Sequence, residues 1–243
     1  MIMRKSKLYI IIYVLTLIMS IPFLLACSST SALKEGQQLF TGLKPIEYSN
    51  YEKSGYADST MLEMENVLAS APNGALFVSS YYRTPFPVRL WIWNAFSQSE
   101  GGVAKWITKA FGSKPKLMSN VNPQLRAQVA ENQLGKYGYF NGKVTYDVVT
   151  DNNPKKAKVA YHVDMGHLWT LDTVKYLGFP NEGQQLIDST RNLAVIRTGS
   201  PFNISKLEQE RQRITRLFRN NGYYFYKNGY ASYLADTLGT PGL

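Results

Sequence analysis

The sequence predicts an α+β protein made of two related units that follow an export leader. Two helical patterns end at Gly138 and Gly222, and each glycine is followed at once by aromatic residues. A period-two pattern between positions 144 and 163 is typical of a β-hairpin. The two glycines lie 84 positions apart, so helix, glycine and aromatic strand form an internal repeat.

The clearest predicted helix lies between Asn203 and Gly222. Ser205 and Glu208 have the spacing of an N-terminal capping box, and Gly222 is a typical C-terminal stop. Residues with helical spacing along it are Ile204, Leu207, Arg211, Ile214, Leu217 and Phe218. We expect an aromatic strand from Tyr223 to Asp236 directly after it.

Residues 1–26 have the features of a lipoprotein signal peptide. Basic residues at positions 4, 5 and 7 precede the apolar run Leu8–Ala26. The run ends in Leu24-Leu25-Ala26-Cys27, which resembles a bacterial lipobox, so Cys27 is the predicted lipidation site. Its acyl chains would hold the protein on a membrane. The alternative for a run of this length is an uncleaved membrane-spanning anchor.

Residues 27–36 are predicted to be a flexible tether. No aspartate follows Cys27, which favours the outer membrane in the best-known sorting rule. Cys27 is the only cysteine, so the sequence excludes an internal disulfide and a cysteine-cluster metal site.

The net charge of the chain is moderately positive. It is +10 in full, and without the leader 24 basic residues face 17 acidic ones, which leaves +7. Because these basic residues look dispersed and the leader directs export, we expect no nucleic-acid partner. Attraction to anionic membranes or acidic glycans is compatible with this charge.

The first unit is expected at residues 37–166, in the order strand, helix, helix, strand, strand. An aromatic insertion at about 75–118 separates the two helices. It contains Trp91 and Trp93, whose period-two spacing suggests one face of a strand that is either buried or exposed to clients or lipid. The elements are a strand at Gly42–Tyr48, helices at Ser59–Ala69 and Pro123–Gly135, and a hairpin with alternating apolar residues at Val144–Val148 and Ala157–Val163.

The second unit is expected at residues 167–243. It begins with a bulged strand at Leu168–Tyr176 and a helix at Glu182–Arg191, followed by the helix and aromatic strand described above. A turn at Gly239 would lead to a last strand that the sequence does not contain. We therefore expect this unit to be incomplete and the sequence to be a fragment or a truncated product.

These motifs resemble the POTRA domains of outer-membrane assembly factors of the BamA and TamA type, most closely the lipoprotein form of the TamA type (TamL). The matching segments are Leu207-Glu208-x-Glu210-Arg211-x-Arg213-Ile214, Gly222-Tyr223-Tyr224-Phe225 and Ala235-Asp236-Thr237. The resemblance implies tandem POTRA-like units of order β-α-α-β-β, of which the first is enlarged. It covers the periplasmic part only, because no C-terminal barrel is present.

The resemblance also implies a function without catalysis or cofactors. The expected partners are unfolded outer-membrane proteins or a TamB-like periplasmic protein, bound by strand addition to a sheet edge. The expected contact residues are Trp91, Trp93, Arg211, Arg213, Tyr224 and Tyr226. The expected location is the outer membrane, with the lipid-anchored protein facing the periplasm.

Enzyme chemistry has little support in the sequence. His162 and His167 fall on opposite faces of a continuing strand, and no glycine-rich phosphate loop or nucleophile elbow occurs. Two alternatives stay open. The first is a lipoprotein that binds envelope glycan in a cleft lined by Trp91 and Trp93, and the second is a remnant without insertion activity.

Overall fold

The computed structural model describes residues 29–234. The leader, Cys27, the end of the expected aromatic strand at Asp236 and the turn at Gly239 lie outside the described residues. The strands are β1 (Leu39–Leu43), β2 (Glu47–Ser49), β3 (Lys143–Thr150) and β4 (Lys156–Asp164). The helices are α1 (Gly55–Leu68), α2 (Val88–Phe96), α3 (Gly102–Phe111), α4 (Met118–Val121), α5 (Pro123–Lys136), α6 (Asn181–Ser189) and α7 (Ile204–Asn220). The expected α+β class is confirmed.

The four strands form one small sheet in which β4 is central. β1 pairs with β4 in parallel, with Leu39 opposite Lys156 and Leu43 opposite Val159. β2 and β3 also pair with β4. The turn between β3 and β4 is too short for a parallel crossover, so this pair is antiparallel. Because β3 takes one edge of β4, β1 and β2 share the other.

The chain divides into two compact units. The first groups the described residues up to Ser49 with Met61–Ala130 and Val144–Val163. The second groups Asn50–Thr60 with Glu131–Lys143 and the described residues from Asp164 onward.

The core of the first unit lies on one face of the sheet. The apolar positions predicted for β4 are all buried: Ala157, Val159, Tyr161 and Val163. Helix α1 adds Met64 and Leu68, and β1 adds Phe40, each fully buried. The hairpin prediction is therefore confirmed. The first strand, expected at Gly42–Tyr48, is instead two short strands with a register shift in β1.

The insertion contains helices where a strand was expected for Trp91 and Trp93. Both tryptophans belong to α2, and residues two apart on a helix do not share a face. All four residues from 90 to 93 are apolar, and an apolar run without turn signals is compatible with either a helix or a strand. Leu90 is buried against Leu33 and Leu39.

The second unit contains no complete strand among its described residues. Residues 168–176, expected as a bulged strand, form only an isolated bridge between Thr170 and Pro201. Residues 223–234, expected as the aromatic strand, are turns and a short 3-10 helix at Asn228–Tyr230. The core here lies between α6 and α7, where Ile187, Ile214 and Phe218 pack together.

Helix α7 is present, but its N-terminal cap differs from the prediction. Asn203, not Ser205, precedes the first turn in extended conformation, and its side-chain oxygen accepts a hydrogen bond from the Lys206 N–H. Glu208 pairs with Arg211 instead of completing a capping box. Gly222 does follow the helix, with a left-handed φ of +96°.

Candidate functional site

The open edge of the sheet is β3. On one side β3 pairs with β4, and its other side pairs with no described strand. Among the described residues, no backbone hydrogen bond beyond those of the sheet and the turn at Asp151 involves Thr145–Thr150. Thr145, Asp147, Val148 and Thr150 are exposed. An edge of this kind presents N–H and C=O groups that can pair with an extended chain.

The opposite edge, β1, is covered by the insertion. The Phe40 N–H donates to the Lys116 carbonyl at 2.8 Å, and the Leu43 N–H donates to the Ser80 carbonyl at 2.8 Å. Leu117 also forms an isolated antiparallel bridge with Leu39. The insertion therefore closes the β1 part of this edge, and the longest strand that pairs with β4 alone is β3.

The direction of the backbone groups in β3 follows from the turn. The Asp151 N–H donates to the Lys156 carbonyl of the return strand at 2.9 Å. Because N–H groups alternate in direction along a strand, the N–H of Val149 points the same way and the N–H of Val148 points outward. Val148 is thus the position where an outward N–H coincides with an exposed apolar side chain.

Trp91 and Trp93 have different surroundings. The indole N–H of Trp91 donates to Ser29 Oγ at 3.4 Å, and the ring meets Phe86 edge to face. The Lys114 ammonium lies over the Trp93 ring, 5.6 Å from its centroid. The structure does not bring the two tryptophans together in one site.

Trp93 lines an open cleft of about 400 Å³ between α2 and α3. The cleft is basic, because Lys105, Lys109 and Lys114 all border it. Trp91 does not line it. The cleft formed by both tryptophans, which a glycan-binding protein was expected to have, is therefore not the arrangement found.

Arg211 and Arg213 form ion pairs within their own helix. Arg211 pairs with Glu208 at 3.1 Å and donates to the Asn228 carbonyl at 2.9 Å. Arg213 pairs with Glu210 at 2.6 Å. Both guanidinium groups already have acidic partners on α7, so neither needs an acid from a neighbouring domain.

Glu210 is fully buried, although its sequence neighbours are charged or polar. Its carboxylate also accepts hydrogen bonds from the Tyr176 hydroxyl at 2.7 Å and from the Val195 N–H at 2.8 Å. Burial alone would raise the pKa of Glu210, but these bonds and Arg213 together hold that pKa below its ordinary value. Burial and the bond to Glu210 raise the pKa of Tyr176. This carboxylate therefore joins three segments of the second unit.

Tyr224 and Tyr226, the remaining expected contact residues, also differ. Tyr224 is exposed. Tyr226 stacks on Phe218 with ring centroids 4.5 Å apart and contributes to the core of the second unit. Of these two tyrosines, only Tyr224 is exposed to a partner.

The predicted lipidation site, Cys27, lies outside the described residues. From Ser29 onward the chain packs into the first unit, instead of forming the flexible tether expected at residues 27–36. Ser29 and Thr30 are buried, and Leu33 packs with Leu39 and Leu90. The chain thus enters the first unit beside α2.

The two histidines belong to different units. His162 lies on the sheet between β2 and β3, where its ring nitrogens contact Glu47 at 2.9 Å and Asp147 at 3.2 Å. His167 belongs to the other unit, where its ring meets Trp169 edge to face. All three members of the His162 cluster are partly or largely exposed.

Comparison with known proteins returned no matching family model and no matching curated protein. None of the helices between residues 29 and 234 has the length and apolar character needed to cross a membrane.

Sequence reasoning missed two features of the structure. The first is Glu210, whose burial gave no sequence signal beyond Arg213 three residues later. The second is the coverage of β1 by residues 116–118, which depends on a contact between segments more than seventy positions apart.

Proposed function

We propose that this protein is the lipid-anchored periplasmic part of an outer-membrane protein assembly factor of the POTRA-containing TamA type. In this proposal Cys27 carries the acyl chains, and the first unit binds extended segments of unfolded barrel proteins or of a TamB-like partner. Binding occurs by addition of a strand to β3.

The observation that carries the proposal is the asymmetry of the sheet. Backbone bonds to the insertion close the edge at β1, whereas Thr145–Thr150 of β3 form no described backbone bond outside the sheet and its turn. From β1 to β4 the chain runs through two short strands, helices α1 to α5 and the β3–β4 hairpin, an order compatible with a POTRA-like domain enlarged between its helices. Backbone pairing suits unfolded clients, since it gives affinity without strict demands on side chains.

The edge also has the right character for a reversible partner. Its exposed residues are polar apart from Val148, with Thr145, Asp147 and Thr150 among them. A charged residue on an edge strand limits uncontrolled pairing between copies. Lys143 at its start forms an exposed ion pair with Glu131 at 3.0 Å.

The test is a proline substitution on β3, read out by peptide binding. Val148→Pro removes an outward N–H and blocks addition of a strand, whereas an edge position tolerates proline in the folded protein. With fluorescent peptides from the last strand of a barrel protein, we expect Kd to rise at least about fivefold, because loss of one hydrogen bond costs about 1 kcal/mol.

Two matched variants make the result specific. Val149→Pro removes an inward N–H, so it should unfold the hairpin, as seen by circular dichroism. Phe225→Ser removes an exposed ring in the second unit and should leave Kd unchanged. Saturable binding that Val148→Pro does not weaken, in a protein that stays folded, would refute strand addition at β3. A strand segment from a TamB-like protein in the same assay distinguishes the two partners.

A further inference from the structure

The positive charge of the protein is concentrated in the insertion. Residues 75–118 contain six basic residues and one acidic residue, a net charge of +5. The rest of the chain from Cys27 onward has 18 basic and 16 acidic residues, a net charge of only +2. The dispersed charge expected from the sequence therefore needs correction, because most of the excess lies in one segment.

Helix α3 within this segment has its apolar side turned outward. Val103 is 74% exposed and Trp106 is 62% exposed, whereas the only buried residue of the helix is the polar Thr108. Phe111 is also exposed and meets Trp106 edge to face, with centroids 5.8 Å apart. A helix that exposes Val103, Trp106 and Phe111 while it buries a threonine presents these three side chains to something other than its own core.

Lysines lie on the side of α3 that borders the Trp93 cleft. Lys105 and Lys109 are exposed and lie one turn apart on α3, and Lys114 follows the helix above Trp93. Tryptophan and phenylalanine beside lysine are the composition of helices that lie in the interface of an anionic membrane. Acidic groups would oppose such contact, and the segment has only Glu100.

The start of the described chain lies at the same helical pair. Ser29 contacts Trp91 of α2, and α2 packs beside α3 to form the Trp93 cleft. Cys27 precedes Ser29 by two residues, which reach at most about 7 Å of extended chain. An acyl group on Cys27 would therefore enter the bilayer close to α2.

We propose that α2 and α3 form a membrane-contacting hairpin that lies on an anionic lipid surface beside the acylated Cys27. This inference rests on the proposed lipid anchor. Val103, Trp106 and Phe111 enter the interface, and Lys105, Lys109 and Lys114 face lipid headgroups. The acyl chains hold the protein on the membrane, and the hairpin sets its orientation, so that β3 is presented at a fixed distance from the bilayer.

The test uses the full chain, produced in a bacterium with its own leader and reconstituted into vesicles. The vesicles contain equal parts of phosphatidylcholine and phosphatidylglycerol, with bromine on the acyl chains, or phosphatidylcholine alone. Bromine quenches tryptophan emission only by close approach. We expect strong quenching in the anionic vesicles and at least a twofold weaker effect in the neutral ones.

A matched pair of variants keeps all four tryptophans. Val103→Glu should abolish most of the quenching, whereas Leu177→Glu, at 77% exposure in the second unit, should leave it unchanged. Lys105→Glu combined with Lys109→Glu should reduce the quenching only in anionic vesicles. Vesicle flotation should be unaffected in all variants, because the acyl chains remain.

The possible outcomes separate this inference from the proposed function. Flotation and an acylated Cys27 by mass spectrometry, without quenching, would overturn the membrane-contacting hairpin and leave the anchor intact. A bare Cys27 on an intact N-terminus would overturn both. Burial of α3 by self-association without vesicles, seen by sedimentation, would assign the apolar stripe to a second copy and overturn membrane contact.

Discussion

The segments after Gly138 and Gly222 begin alike and end differently. Both glycines follow a helix with left-handed φ values of +88° and +96°, and both precede aromatic residues. After Gly138 the chain forms β3, whereas after Gly222 it forms turns. The same local signal therefore supports two structures.

The two segments differ because only the first has a neighbouring strand with which to form hydrogen bonds. β3 pairs with β4, whose apolar face is buried in the first unit. Among the described residues no strand lies beside positions 223–234, and Tyr226 instead stacks on Phe218 of α7. A strand needs a partner for its backbone groups, and aromatic residues without one pack on the nearest apolar helix face.

The largest effect should come from the sheet side of this comparison. Phe40→Ala removes a fully buried ring from β1 and should destabilise the protein by about 3 to 5 kcal/mol through loss of buried area and a cavity. Urea unfolding followed by circular dichroism measures this. Phe225→Ala, on the exposed segment after Gly222, should change the free energy of unfolding by less than about 0.5 kcal/mol.

The stability of the second unit should depend on the buried carboxylate of Glu210, whereas the first unit is stabilised by its sheet. Glu210→Gln should cost about 3 kcal/mol, because it leaves the Arg213 guanidinium without its buried counter-charge. Urea midpoints of wild type and variant give the difference. Glu208→Gln is the control, because Glu208 also pairs with an arginine of α7 but is partly exposed. An equal loss of unfolding free energy in both variants would show that the burial of Glu210 adds nothing.

The contribution of Glu210 should also depend on pH. Its pKa in the folded protein is held below the ordinary value of 4.5, so its stabilising effect is complete above the unfolded-state pKa and is lost as pH falls through the folded-state pKa. The difference in unfolding free energy between wild type and Glu210→Gln should therefore become smaller as the pH falls below 4.5. A difference that stays constant between neutral and acidic pH would show that the charge is not what matters.

Gly138 and Gly222 share a left-handed backbone but differ in how closely other atoms approach them, so substituting each one separates the two effects. A Cβ at Gly138 would lie 2.8 Å from the Phe202 carbonyl oxygen, whereas a Cβ at Gly222 would meet nothing within 4 Å. Gly222→Ala should cost about 1 kcal/mol for the left-handed backbone alone, and Gly138→Ala about 2 to 3 kcal/mol. Thermal unfolding of the two variants compares them, and equal losses would refute the crowding at Gly138.

The smallest expected effect concerns the cap of α7. Asn203→Ala should cost about 1 kcal/mol, since it removes the acceptor for the Lys206 N–H and also a donor to the Tyr56 hydroxyl. Ser205→Ala should change stability by only a few tenths of a kcal/mol. Thermal unfolding of both variants distinguishes the observed cap from the capping box that the sequence suggested.

Local patterns were sufficient for the helices and the hairpin. Helices α1, α5, α6 and α7 lie within a few residues of their predicted positions, and the alternating residues of β4 are all buried. These elements have a clear period and nearby stop signals, so neighbours in sequence decide them.

Distant contacts decided the rest. The sequence by itself determined the α+β class, the hairpin, the left-handed glycines and the charge of the insertion, because each depends on residues close together in the chain. Only the tertiary structure decided that Trp91 and Trp93 belong to a helix, that residues 116–118 close the β1 edge and that Glu210 is buried. Each of these requires a partner far away in sequence, and a period of two or 3.6 residues carries no information about such a partner.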